Sequence, residues 1–259
     1  MKNLENKEVP QNVLACVYGS KPEDWTNHSK GGGWVYKTAH VTASVYLSCG
    51  ARVYGNAQVY GDAWVYGNAR VYGNAWVYGN ARVYGNAWVS GNARVSGNAR
   101  VSGNARVYGN ARVYGNARVS GNARVSGNAR VSGNAWVYGN ARVYGNAWVY
   151  GNAWVSGNAR VSGNARVYGN ARVYGDARVY GNAWHQSPLY IQGSHHSVTM
   201  CSRTELAIGC LQHDFAWWKA NAAEVGKNND YTPAQIKEYL RIIFFAARMA
   251  KNLPPEVKP

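Results

Sequence analysis

Between Val35 and Val179 an aliphatic residue returns at every sixth position, and Leu47 alone among these is not valine. The fifth position of each six-residue word is small except at Val45, and from Ala51 onward it is always alanine. Residues 70–94, RVYGNAWVYGNARVYGNAWVSGNAR, show how little varies: Arg or Trp before the valine, Tyr or Ser after it. Alanine and the following valine lie two apart, and in an extended strand residues two apart share a face. Each Ala-x-Val-x is therefore predicted to be a strand of about four residues, with Ala and Val inward and the variable pair outward. Gly-Asn turns the corner, because glycine accepts positive φ and asparagine is among the few other residues that tolerate it.

Two architectures fit this local reading. In an antiparallel meander Gly-Asn would be a hairpin turn, and the sheet would need a second layer over its Val/Ala face. No segment of the chain is long enough to supply that layer. If each corner turns only partway, the strands wind into a parallel solenoid whose Val and Ala faces meet along the axis, and the core closes on itself.

The words Val35-Tyr-Lys-Thr-Ala39-His and Val53-Tyr-Gly-Asn-Ala57-Gln resemble the hexapeptide repeat of left-handed parallel β-helix proteins, whose words carry an aliphatic residue first and a small residue fifth. The resemblance covers more than half the chain. It implies a mainly β fold with three words per triangular coil, about eight coils in a prism about 40 Å long, and a homotrimer. Large side chains would not fit so narrow a core, which accounts for the constancy of Val and Ala.

The flanks read as covers for the two open ends, which would otherwise recruit other chains. Residues 1–34 form an N-terminal cap in which the period is lost, residues 35–184 the repeat domain, and residues 185–259 a small α+β capping domain. After the period breaks at His185, residues 187–210 read as short strands with a turn near Ser202 to Thr204. Asp214 is a candidate N-cap for a helix to about Val225, with Gly226 as its stop signal. Thr232-Pro233-Ala234-Gln235 combines a capping box with proline at the first helical position and opens a helix to about Lys251. Its buried stripe is expected at Ile236, Tyr239, Leu240, Ile243, Ala247 and Ala250. Ile242, Phe244 and Phe245 widen the stripe, so this helix is expected to be sandwiched or to lie at a subunit contact. WTNHSKGGGWV before the repeats, with IQGS and IGC after them, resembles uncharacterised hexapeptide-repeat proteins of bacteriophages and prophages; the resemblance implies a viral origin and no activity.

Charge sharpens the picture of the outer surface. Lys plus Arg total 28 against 12 acids, a formal charge of +16. Fifteen Arg, no Lys and two acids, Asp62 and Asp176, lie between Ala51 and Trp184, so the repeats carry +13 of it. The start is charged, with no signal-peptide core, and no apolar run approaches the roughly 18 residues of a membrane span. These features predict a cytoplasmic protein with no membrane partner. Cys16, Cys49, Cys201 and Cys210 show neither disulfide nor zinc spacing, and reduced thiols are expected.

With eighteen residues per coil, one outward column reads Arg52, Arg70, Trp88, Arg106, Arg124, Arg142, Arg160, Arg178, and its neighbour Tyr54, Tyr72, Ser90, Tyr108, Ser126, Tyr144, Ser162, Tyr180. Guanidinium groups stacked at about 4.8 Å repel by roughly 0.9 kcal/mol per pair at the dielectric of water. Arg94, Arg100, Arg106, Arg112, Arg118, Arg124 and Arg130 occupy consecutive words and predict a basic belt, with Trp64, Trp76 and Trp88 on one shoulder and Trp136, Trp148 and Trp154 on the other. Arginine pairs bidentately with phosphate and aromatic faces stack on bases. The belt with Arg142, Tyr108 and Tyr144 is thus the candidate site for a phosphorylated ligand, nucleic acid or nucleotide. A solvated or assembly-covered surface is the alternative, since Arg also stacks on Trp or Tyr.

Catalysis reads less well. Hexapeptide acyltransferases use a histidine base between subunits, and a general base must reach its proton. From Val41 to Trp184 there is no His and no Glu. The six histidines lie at the ends, where His195, His196, Arg203 and His213 form the alternative C-terminal site. No metal-ligand spacing occurs, and neither a metal nor a cofactor is expected. Ice binding would need rows of small hydroxyls, and the outward rows here are too bulky and too charged.

Overall fold

A computed structural model describes residues 8–179, 183–184 and 189–252. The repeats wind into a parallel solenoid of about eight turns with three sheet faces of ten, eight and nine strands. Each strand pairs with those eighteen residues away: Arg106 lies between Trp88 and Arg124, and Val107 between Val89 and Val125. The strands proper are two residues long, such as Arg106–Val107, rather than four. Ladder bonds nevertheless come from both outward positions, as Arg106 N–H donates to Ala123 O at 2.9 Å and Tyr108 N–H to Val125 O at 3.0 Å. The expected inward set is confirmed, for the repeat Val and Ala are essentially inaccessible from Ala51 to Val179.

The constant Gly and Asn have separate duties. Gly115 sits at φ 70°, and a Cβ there would lie 3.1 Å from the backbone nitrogen of Gly133 in the next turn, so both conformation and proximity require glycine. Among the described repeat residues positive φ is confined to glycine, so the tolerance for the left-handed region expected of Asn is unused. Instead the asparagines form ladders along the corners: Asn98 Nδ2 donates to Asn116 Oδ1 and Asn116 Nδ2 to Asn134 Oδ1, both at 3.1 Å. One ladder ends on a carboxylate, with Asn158 Nδ2 donating to Asp176 Oδ1 at 2.9 Å.

At the N-terminal end, helix α1 (Gln11–Leu14) and the strand Trp25–Asn27 cover the first turn. Trp25–Asn27 pairs antiparallel with Trp34–Tyr36, the first strand of the solenoid, and Val13, Trp25 and Trp34 form a separate small core. At the other end the strands Tyr190–Gln192, Ser197–Met200, Glu205–Ile208 and Leu211–Asp214 make an antiparallel sheet, packed by α2 (Phe215–Asn228) and α3 (Pro233–Lys251). Val198, Met200, Leu206, Trp218 and Ile243 extend the solenoid core without a break. The break at His185 and the column's last ring, Tyr180, lie outside the described residues.

Both predicted helix starts are confirmed. The Asp214 carboxylate accepts from Trp217 N–H at 2.7 Å, and the Thr232 hydroxyl accepts from Gln235 N–H while the Gln235 side chain accepts from Thr232 N–H. The predicted end of α2 is corrected, because the helix runs through Gly226 to Asn228. Gly226 is buried, and a Cβ there would lie 2.8 Å from Ile236 Cγ1; its smallness lets α3 pack close rather than ending the turn. In α3, Tyr239, Ile243, Ala246 and Ala247 are buried, Ile236, Leu240, Ile242 and Ala250 partly so, and Phe244 and Phe245 lie open at 56% and 50% exposure. No helix among the described residues is long and apolar enough to cross a membrane.

Candidate functional site

The predicted belt divides among three faces, because consecutive words belong to different faces of the prism. Arg94, Arg112 and Arg130 stack on one face, Arg100 and Arg118 on a second, and Arg106, Arg124 and Arg142 on the third. A rigid ligand lying on one face therefore meets a column rather than a belt. The third face carries the longest column, Arg106, Arg124, Arg142, Arg160 and Arg178 on five successive strands. Arg124, Arg142 and Arg160 each have arginine on both neighbouring strands. The ion pairs Lys21–Glu23 and Lys37–Asp24 lie at the N-terminal end, away from the column Arg106 to Arg160.

The tryptophan shoulders are committed internally. Arg106 and Arg70 lie over the Trp88 ring at 4.6 and 5.2 Å, and Arg130 and Arg166 over Trp148 at 4.6 and 5.3 Å. Arg94 covers Trp76 and Arg118 covers Trp136, while Trp136 stacks on Trp154 with centroids 5.2 Å apart. Each exposed cation–π contact contributes about 0.5–1 kcal/mol and offsets part of the repulsion along the column. A ligand stacking on Trp88 or Trp148 would have to displace arginines from the neighbouring turns, whereas Trp64, with Arg82 over its ring, stays 45% exposed.

Tyrosines behave in two ways. Where the column places Tyr on adjacent turns the rings stack, as for Tyr54 on Tyr72 and Tyr66 on Tyr84, with centroids 4.9 and 4.8 Å apart and planes within 1°. Burial, and then the neighbouring phenol, raise the hydroxyl pKa of Tyr60, Tyr66 and Tyr150 in such stacks. Where Ser stands between two Tyr, a notch opens. One of about 220 Å³ is lined by Tyr108, Ser126 and Tyr144 with Arg124, Arg142 and Arg160. Another of about 200 Å³ shares Tyr108 and is lined by Tyr72, Ser90, Trp88, Arg106 and Arg124. A third of about 230 Å³, on the Arg94 face, is lined by Tyr78, Ser96 and Tyr114 with Arg94, Arg112 and Arg130. The structure thus brings Tyr108 and Tyr144 together with Arg124 and Arg142 as predicted, and adds Ser90, Ser96, Ser126, Tyr114 and Arg160. Their signal was the Tyr/Ser alternation at a spacing of eighteen.

The alternative C-terminal set does not converge. The His195 and His196 rings meet at 4.5 Å, and His196 Nδ1 is hydrogen-bonded to the Tyr231 hydroxyl. Burial, and then the His195 charge, lower the His196 pKa, while burial pushes that of Tyr231 up to about 12. His213 lies instead flat against Trp217, with centroids 3.4 Å apart, and Arg203 sits in the bend between two strands. The cavity beside His196, about 240 Å³, is walled largely by Ile208, Leu211, Trp218, Val225 and Ile236, with Cys210 and Tyr231 also at its lining. Among the described residues no three His, Cys, Asp or Glu gather as metal ligands.

Compared with known families, the repeat block matches the family described as YdcK Beta solenoid repeat, in overlapping stretches from 51–67 to 171–185 that together span half of the chain. No curated protein matches it.

Proposed function

The chain belongs to the YdcK β-solenoid repeat family, and on that scaffold we propose a non-catalytic binding function: the arginine columns hold a phosphorylated ligand, nucleic acid or nucleotide. The observation that carries this reading is the column Arg106 to Arg178, in which guanidinium groups repeat on successive strands with no facing carboxylate among the described residues. A surface that is merely solvated mixes both charge signs. Arranged this way, the guanidinium groups gain from an anion that bridges them, because the ligand replaces repulsion with charge-assisted hydrogen bonds. Apart from His40 in the first coil, the coils offer no His or Glu as a general base, which favours binding over acyl transfer. If the flanks do reflect a phage origin, the ligand would be a nucleotide or nucleic acid of the host cytoplasm, sequestered rather than transformed.

Replacing Arg106, Arg124 and Arg142 together with Gln removes three charges from one column and leaves the Val/Ala core untouched. Affinity for inorganic polyphosphate should fall, and the dependence of log affinity on log salt should flatten by roughly two to three units. The melting temperature should hold or rise slightly as repulsion is relieved. A wild-type protein that binds neither polyphosphate nor an oligonucleotide at low salt would overturn the reading. A second role, self-association through α3, either as the homotrimer expected from the resemblance or as a different assembly, is favoured by the open Phe244, Phe245 and Met249.

A further inference from the structure

We infer that each Tyr–Ser–Tyr notch is a slot for one flat aromatic base, so that the arginine columns recognise nucleotide units rather than anions in general. This rests on the anion reading above and deepens it.

The argument starts from the intact stacks. Parallel tyrosines on adjacent turns have centroids 4.8 to 5.1 Å apart. Touching aromatic carbons lie about 3.5–4.0 Å apart, so these rings are slipped and their planes are closer than their centroids. At Ser126 the chain deletes the middle ring of such a stack. Tyr108 and Tyr144 are then two turns apart, about 9.6 Å along the axis, and the same inclination leaves about 7–8 Å between planes, room for one flat ring touching both.

Exposure agrees with this vacancy. Tyr108, Tyr114 and Tyr144, which have Ser on both sides in their columns, are 38–39% exposed, whereas the rings of Tyr54, Tyr66, Tyr72 and Tyr84 are partly covered by one another. What completes the slot is charge. Arg124, Arg142 and Arg160 line the same notch as Ser126, and Arg94, Arg112 and Arg130 the one at Ser96. A ring that refills the stack while its appended charge meets three guanidinium groups must be both flat and anionic, as a nucleotide is. The Ser90 and Ser126 notches share Tyr108 as a common wall, so the third face presents two slots in series. Trp88 and Trp148 offer no such slot, since arginines from the turns on either side already cover them.

The test refills the slots with the chain's own solution. Ser90→Tyr with Ser126→Tyr restores a continuous tyrosine stack, as at Tyr54–Tyr72, and leaves every arginine in place. Three probes are compared at one salt concentration: inorganic polyphosphate, an oligothymidylate, and an abasic strand of equal length. Wild type should prefer the oligothymidylate to the abasic strand by about tenfold or more. The double variant should show a clearly smaller preference, what remains being that of the slot at Ser96 on the other face, bind polyphosphate as before, and melt no lower than wild type. Equal wild-type affinity for the two strands, or a preference undiminished in a folded double variant, would overturn the base slot and leave the anion reading standing. Failure of wild type to bind polyphosphate or either strand removes both. Given the preference, thymidine monophosphate that competes as well as one unit of the strand identifies a free nucleotide as ligand, and affinity that grows with strand length identifies a strand.

Discussion

The solenoid and the C-terminal domain share one continuous core but specify it in opposite ways. Inside the solenoid, Val and Ala suffice, since each side chain meets copies of itself eighteen residues away. Inside the C-terminal domain every position is singular: Trp218 donates its indole N–H to Leu206 O at 2.7 Å, and the Tyr239 hydroxyl accepts from His195 N–H and donates to His196 O. Against a constant background each departure is visible, so Tyr exchanged for Ser on a solenoid face reads as a feature of the surface. A domain without repetition gives no such background, and its cavity beside His196 is recognised only from coordinates.

The largest expected effect probes the uniform core. Val113→Asp places a carboxylate among apolar side chains with no partner and should cost several kcal/mol, visible as a large fall in the denaturation midpoint. Tyr114→Ser beside it should cost far less, because the chain itself carries Ser120 in the next word. Equal losses from the two would contradict the division between a fixed interior and a free surface.

Glycine sharpens the comparison at intermediate size. Gly115→Ala meets both the positive φ and the close approach of Gly133, and should cost about 1–3 kcal/mol with no rescue by altering a side chain. Gly226→Ala meets only Ile236 in an otherwise ordinary helix. Made in an Ile236→Ala background, which removes Cγ1, it should cost little further, as read by denaturation of the double variant against Ile236→Ala alone. Rescue in neither position would mean that both glycines serve the backbone.

The smallest effect belongs to the C-terminal domain alone. With its pKa lowered in the folded state, His196 binds fewer protons there than in the unfolded chain. Its contribution is therefore present above the ordinary value of 6.5 and is lost as pH falls through it toward the folded value. The ring is only partly buried, so the loss should be slight. An NMR titration of His196 with a midpoint at or above 6.5 would contradict this, while the histidine-free turns between Val41 and Val179 should show no matching change.

Much of the fold was legible because periodicity states who neighbours whom. The inward Val and Ala, the column from Arg52 to Arg178, and the caps at Asp214 and Thr232 follow from spacing and local chemistry alone. Side-chain direction is not written in that spacing. The turns of Trp88 and Trp148 toward arginines above and below, the Asn98–Asn116–Asn134 ladder and the meeting of Gly226 with Ile236 depend on rotamers and packing distances. The site was half legible for the same reason: Tyr108, Tyr144, Arg124 and Arg142 were identifiable as outward residues of adjacent columns. That Ser126 opens a gap between them follows only once the rings of the neighbouring stacks are seen to lie parallel.

The eighteen-residue register also constrains how such a molecule can change in length. Because one six-residue word follows another, an insertion or deletion that keeps the repeat adds or drops whole words. Loss of one word keeps every Val inward and every corner closed, yet carries all later words one face onward and recombines the arginine, tryptophan and tyrosine columns. Loss of three shortens the prism by about 4.8 Å and leaves every column intact. Its scaffold thus tolerates either event, while its surface pattern is inherited only in threes.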